Sequence, residues 1–238
     1  MRGIWYQTSV QVIDRQAGVF QFNSSIAQSL TILVNTEPHL DGQISRAYQL
    51  GLFAIAIVMT ATLWSMGRIW WCEAGDLVPW SWDVWSTHNS QHLVDPYALS
   101  HLQHGLGLFL LLSIIPWKWL TAERIFVIVA LIEATWEISE NTPWMIDRYR
   151  ESTISLDYYG DSILNSIADY GWCLIGLFVA RRLPGKATLS LFVAFEVLSV
   201  LWIRDSLMLN ILMLISPIEA IKEWQAAGQT AAAMILNR

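Results

Sequence analysis

Charge is what this sequence has least of: only 14% of its 238 residues are charged, against about a quarter in an ordinary soluble domain. What charge there is carries no basic excess. Fourteen Lys and Arg against 20 Asp and Glu leave a net charge of -6, so no cationic surface is available for nucleic acid and that class of function is set aside. Cysteine is equally scarce. Cys72 and Cys173 are too few for a disulfide framework or a Cys-rich zinc module, and their separation leaves any pairing open. Internal repeats, low-complexity runs and Gly/Ser linkers are missing, which leaves one domain with an N-terminal extension.

What is abundant is apolar surface: 54% of the residues are hydrophobic, mean hydropathy is +0.40 and there are 14 Trp. That balance belongs to a membrane protein, with Trp favouring the two membrane-water interfaces. The longest uncharged run, 47–67, has the length that a helix needs to cross a hydrocarbon core of about 30 Å. Further candidates are 98–117, 125–138, 162–180 and 187–203, the third short and interrupted by Glu133 and Glu137. The apolar run 207–215 is too short for a full span and is a re-entrant turn, part of a sixth span or a buried extension. The expected fold is all-α: a polytopic transmembrane helix bundle of five to six spans. Residues 1–46 form the extension, 47–225 the membrane domain and 226–238 a C-terminal tail.

Lys and Arg concentrate in short cytoplasmic loops. Arg46, Lys118, Arg124, Arg181, Arg182 and Lys186 fall in segments that must share a side. The N-terminus is therefore expected to be cytoplasmic, in a bacterial inner membrane, with 68–97, 139–161 and 204–206 facing outward. The first 46 residues lack a basic segment followed by an apolar core, so no cleavable signal peptide is expected. Within them Ile26, Leu30, Leu33 and Val34 recur at helical spacing, which suits a surface helix or a docking element for a membrane protein partner.

Mapped onto this topology, the ionisable residues gather in the outer half. His101 and His104, three apart, share a face at the start of the second span, with His92 and Asp95 just upstream. These groups suit a divalent metal, and equally well a helix cap with interhelical hydrogen bonds. Glu133, Glu137 and Glu140 form one stripe on the third span, while Asp161, Asn165 and Asp169 form another on the fourth. Acids inside a membrane avoid lipid and look into the bundle. With Arg148, Arg150 and Asp157 in the intervening loop and Arg204 beyond the fifth span, they would frame an outward pocket. Its chemistry suits a phosphorylated or sugar-bearing lipid head group, with Arg gripping phosphate and acids accepting hydroxyl hydrogens. A buried ion-pair network fixing helix register is the structural alternative.

The segment Asn89-Ser90-Gln91-His92-Leu93, the run from Ser100 to Gly105, the Glu133 to Glu140 stripe with Asn141 and Pro143, Arg148-Tyr149-Arg150, Gly160-Asp161-Ser162, and Arg204-Asp205 together resemble an uncharacterised bacterial integral membrane family with no assigned activity. The resemblance covers roughly residues 50 to 225. More distantly, a His-bearing helix, a Glu-bearing helix, an Arg-containing loop, and Asp161, Asn165 and Gly176 resemble the VanZ-like membrane family, which implies an envelope-related role. Three functional classes follow: a protein binding a lipid or small envelope molecule, a non-catalytic subunit of a larger membrane complex, and a metal-assisted membrane enzyme. In a bioenergetic complex His101 or His104 would be candidate ligands for haem or a chlorophyll-type pigment. No Ser-His-Asp order, phosphate-cradling Gly loop or zincin helix is evident.

Overall fold

The computed structural model describes residues 44–153, 155 and 157–236. The N-terminal extension up to residue 43, with its expected amphipathic helix, lies outside the described residues. Eight helices and no strand occur among those described: α1 (Arg46–Ser65), α2 (Ala98–Ser113), α3 (Ala122–Glu140), α4 (Pro143–Ser152), α5 (Ile163–Arg182), α6 (Gly185–Ile203), α7 (Leu207–Ile215) and α8 (Glu219–Leu236). Of these, α1, α5 and α6 are long and apolar enough to cross a membrane.

Local sequence explains where the helices begin. The Thr121 hydroxyl accepts from the Arg124 amide and caps α3, Thr142 with Pro143 opens α4, Ser162 accepts from the Asn165 amide at α5, and Ser206 caps α7. Each supplies an acceptor to an amide that the first helical turn leaves unpaired. The Thr121 cap starts α3 at 122 rather than 125, and the helix runs to 140 rather than 138; α2 stops at Ser113 rather than 117, just ahead of Pro116. The segment expected to be a loop between the third and fourth spans contains α4, which carries Arg148 and Arg150. The nine residues of α7 rise only about 14 Å at 1.5 Å each, half a hydrocarbon core, and α7 packs against α4.

The bundle is centred on α2 and α5, which run parallel and in backbone contact. A Cβ on Gly105 would fall on the Cys173 carbonyl and the Leu177 amide, and one on Gly176 would fall on the Leu102 carbonyl. Small residues of this kind let helices approach closely where no hydrophobic effect drives them together. The helices α1, α3 and α6 run the other way around this pair. The Ser45 amide donates to Glu123 at the start of α3, 2.7 Å away, so α1 and α3 begin at the same end. On α6, Glu196 accepts from Gln103 at 2.8 Å and Phe192 faces Gly107, which sets α6 antiparallel to α2. The basic loops at 46, 118–124 and 181–186 therefore lie at one end of the bundle.

The interior changes character along its length. At the basic end it is apolar, built on Leu106, Phe109, Phe126, Val129 and Leu177, with Phe126 edge-on to Phe109 and Phe178. At the other end it is polar, and Glu133, Glu137 and Gln103 are fully buried. The outside is the reverse. Phe53, Val58 and Trp64 on α1 and Val197, Leu201 and Trp202 on α6 are all at least 44% exposed. Apolar side chains outside and ionisable side chains inside invert a water-soluble domain and match a bundle solvated by lipid.

Candidate functional site

The polar end is assembled by α2, α3 and α5 under a roof formed by the 66–97 segment. Helical spacing brings Glu133 and Glu137 onto the face of α3 that meets His101 and His104 on α2. Glu133 bridges the two imidazoles: one carboxylate oxygen lies 2.7 Å from His101 Nδ1 and the other 2.7 Å from His104 Nδ1. His101 Nδ1 also lies 3.2 Å from Glu137 Oε1, and its Nε2 lies 3.7 Å from Asp169 Oδ2 on α5. Three carboxylates from two helices thus surround one ring. Glu140, Asp161 and Asp95 continue the acidic set toward the roof, Glu140 accepting from the Tyr149 hydroxyl at 2.5 Å and Asp161 from Tyr158 and Asn141, both at 2.8 Å.

Two features set this apart from a satisfied register network. Neither carboxylate oxygen of the fully buried Glu137 has a hydrogen-bond partner, nor has Asp169 Oδ1. A buried carboxylate normally accepts several hydrogen bonds. The second feature is charge: the carboxylates of Asp95, Glu133, Glu137, Glu140, Asp161 and Asp169 outnumber the imidazoles of His101 and His104. Arg68 approaches from the roof, but its guanidinium donates to the carbonyls of Tyr159 and Asp161 at 2.8 and 3.0 Å. Outside the long helices the same burial is felt in single groups. It pushes Asp95 up to about 6, raises Asp161, and holds the Tyr149 and Tyr158 hydroxyls well above their ordinary value.

Beside the cluster lies a cavity of about 50 Å³, bordered by His101, His104, Trp136, Glu140, Asp161 and Asp169. Asn89 and Ser90 of the roof and Leu207 and Asn210 of α7 close it. At roughly 10–15 Å³ of such space per water it holds a few waters or a hydrated ion.

The expected arginines are elsewhere. Arg148 donates to the Leu214 carbonyl at 2.9 and 2.7 Å, Arg150 donates to the Tyr158 carbonyl and lies 3.9 Å from Asp147, and Arg204 donates to the Trp224 carbonyl at 2.8 Å. Arg148 and Arg150 satisfy carbonyls of the last turn of α7 and of a loop, which lack in-helix donors, while Arg204 adds to a carbonyl within α8. Asp157 is exposed. Asn165 shares the α5 face with Asp169 but donates to the His92 carbonyl at 2.8 Å, tying α5 to the roof. The histidines also divide. His92 joins Cys72, Asp76 and His88 in the roof, and Asp95 accepts from the Tyr97 and Ala98 amides at 2.8 and 3.2 Å, so neither belongs to one metal set with His101 and His104. Sequence reasoning passed over Cys72, Asp76 and His88, although Cys-x3-Asp and His-x3-His were there to be read, and also Tyr149, Tyr158 and Asn141, whose pairings cross distant segments.

Residues 63–227 match the family model described as Protein of unknown function (DUF2585). The chain belongs to this family. Its curated relatives include UPF0314 proteins of Brucella anthropi, 45% identical over 74% of this chain and 88% of the relative, and of Rhizobium meliloti, 44% identical over the same shares. A third, from Paracoccus denitrificans, is 42% identical over 72% of this chain and 89% of its own. No solved structure matches the chain significantly. The family match spans the roof, the His–carboxylate cluster and α7, and stops inside α8.

Proposed function

We propose that this DUF2585 chain is a multi-pass protein of the bacterial inner membrane that binds a divalent cation between α2, α3 and α5. Glu133, Glu137, Asp169, His101 and His104 offer the ligands, in two groups of three that share His101. The observation that carries this reading is Glu137, a fully buried carboxylate with neither oxygen hydrogen-bonded, set among other acids and two imidazoles. A cation there would supply its missing partner and offset the excess negative charge, which is costly to bury alone. A carboxylate-rich set with imidazole suits manganese or iron. The basic loops gathered at the opposite end favour a cytoplasmic N-terminus, and the site then opens toward the outer face. With α2 and α3 added to the three helices that are long and apolar enough, the bundle crosses the membrane five times, and α7 does not add a sixth.

A lipid head group in this space finds less support. The cavity is small beside the roughly 300–1,000 Å³ clefts that hold larger ligands, and Arg148, Arg150 and Arg204 are committed to carbonyls. An envelope role rests on the VanZ resemblance alone.

Manganese titration of the full chain, purified in detergent without chelator, tests the proposal. Bound manganese loses the sharp six-line electron paramagnetic resonance signal of the free ion, so the wild type is expected to quench about one equivalent. Glu137→Gln, which keeps shape and removes charge, and His101→Ala are each expected to weaken binding at least tenfold, about 1.4 kcal/mol. A wild type that neither quenches the signal nor carries manganese or iron by elemental analysis would overturn the reading, as would undiminished binding in both variants.

A further inference from the structure

The roof carries a second group of ligand-type side chains, separate from the cluster below. The 66–97 segment connects α1 to α2 with a single isolated bridge, between Trp80 and Val94, as its regular pairing. Segments of this length without helix or strand are uncommon in a compact domain unless something fastens them. Two local turns bring four side chains together. At Cys72-x3-Asp76 the Gly75 amide donates to the Cys72 carbonyl at 3.1 Å, and Gly75 takes a φ of 79°, a left-handed value that suits glycine. At His88-x3-His92 the Gln91 amide donates to the His88 carbonyl at 3.2 Å.

The separations are those of ligands around one ion. His88 Nδ1 lies 3.3 Å from Cys72 Sγ, 3.3 Å from His92 Nε2 and 3.3 Å from Asp76 Oδ2, while His92 Nε2 lies 3.6 Å from Asp76 Oδ1. A tetrahedral zinc with bonds of about 2.0–2.3 Å requires ligand-to-ligand edges of roughly 3.3–3.7 Å. Protons alone serve this arrangement poorly. A single ring nitrogen has one lone pair or one proton, yet His88 Nδ1 faces a thiol, an imidazole nitrogen and a carboxylate together. The fully buried His92 sets its own tautomer. Its Nδ1 lies 2.5 Å from the Val78 carbonyl, which only accepts, so the proton is on Nδ1 and the Nε2 lone pair points into the group. The Trp71 ring meets His92 edge-on and its Nε1 donates to the Asp76 carbonyl at 2.5 Å, bracing both ligands. Cys72 is buried and unbridged, as a metal-bound thiolate would be.

We propose that Cys72, Asp76, His88 and His92 bind a zinc ion that fastens the roof over the His–carboxylate cluster. The closed set of four ligands is that of a structural site. Its consequence reaches the cavity, because Asn89 and Ser90 between the two histidines border that space. The same segment holds α5 through Ser162 Oγ to the Gln91 carbonyl at 3.0 Å and through Asn165 to the His92 carbonyl.

Cobalt replacement of the metal in the full detergent-purified chain tests this inference apart from the manganese site, whose ligands include no sulfur. The cobalt protein is expected to show a near-ultraviolet thiolate-to-cobalt charge-transfer band. Cys72→Ser should abolish the band and the zinc found by elemental analysis, and Cys173→Ser should leave both in place. Should Cys72→Ser fail to accumulate, His88→Ala, altering a ring that is one-third exposed, is expected to cut zinc content at least tenfold in folded protein. A cobalt protein without the band, a band that survives Cys72→Ser, or full zinc in His88→Ala would overturn it.

Discussion

Asp205 shows how a single buried carboxyl governs the polar end. It lies between α6 and α7, with no exposure, and accepts from Tyr97, Asn210, Gln225 and the Ser206 amide. Those donors favour the ionised form, yet burial outweighs them and pushes the carboxyl from 3.8 up to about 6. The folded chain therefore keeps a proton that the unfolded chain releases at lower pH. Stability from this group is complete below about pH 4, is lost as pH rises to about 6 and stays constant above, a loss on the order of 3 kcal/mol. Thermal unfolding in detergent should thus have a higher midpoint at pH 5 than at pH 7, and Asp205→Asn should flatten that slope. An unchanged slope would remove Asp205 as its source. The stripes on α3 and α5 were legible at this scale, because spacings of three and four put Glu133, Glu137 and Asp169 where they meet His101. The arginines were not. A guanidinium can go to a carboxylate or to a carbonyl, and Arg148 and Arg204 found carbonyls of α7 and α8, a choice fixed by tertiary neighbours that spacing does not show.

Among the elements, the α2–α5 crossing carries most of the site's precision, since His101 and Asp169 meet across it. The glycines set how closely the two helices approach. Gly105→Leu or Gly176→Leu would drive side chains into backbone with no space to relax, so either variant should lose most of its folded yield and its manganese binding. Gly171, on the same α5 and with nothing within 4 Å of an added Cβ, is the control. Gly171→Ala should be neutral or stabilising by about 0.5–1 kcal/mol through helix propensity. Size-exclusion profiles and melting points of the three variants check this, and a folded, metal-binding Gly105→Leu would show that the crossing is not as tight as described. Apolar run length revealed α1, α5 and α6, while α4 stayed hidden because Arg148 and Arg150 read as loop residues. Its Thr142–Pro143 start was the available signal.

At the scale of the whole molecule, one arrangement serves both solvation and site. The exterior of α1 and α6 is apolar, the basic loops sit at one end, and the histidines of α2 and the acids of α3 and α5 converge beneath the roof at the other. Composition and hydropathy were enough to expect a lipid-solvated helical bundle, because that pattern depends on averages over long runs. The roof was not legible, since a segment without periodicity carries no signal for where its turns bring Cys72 to His92. Anomalous X-ray diffraction from crystals grown with manganese tests the cation site most directly. The expected result is a peak between α2, α3 and α5 within bonding distance of Glu137 and at least two of Glu133, Asp169, His101 and His104. A map with no peak there, from crystals in which manganese is seen elsewhere or not at all, would contradict it.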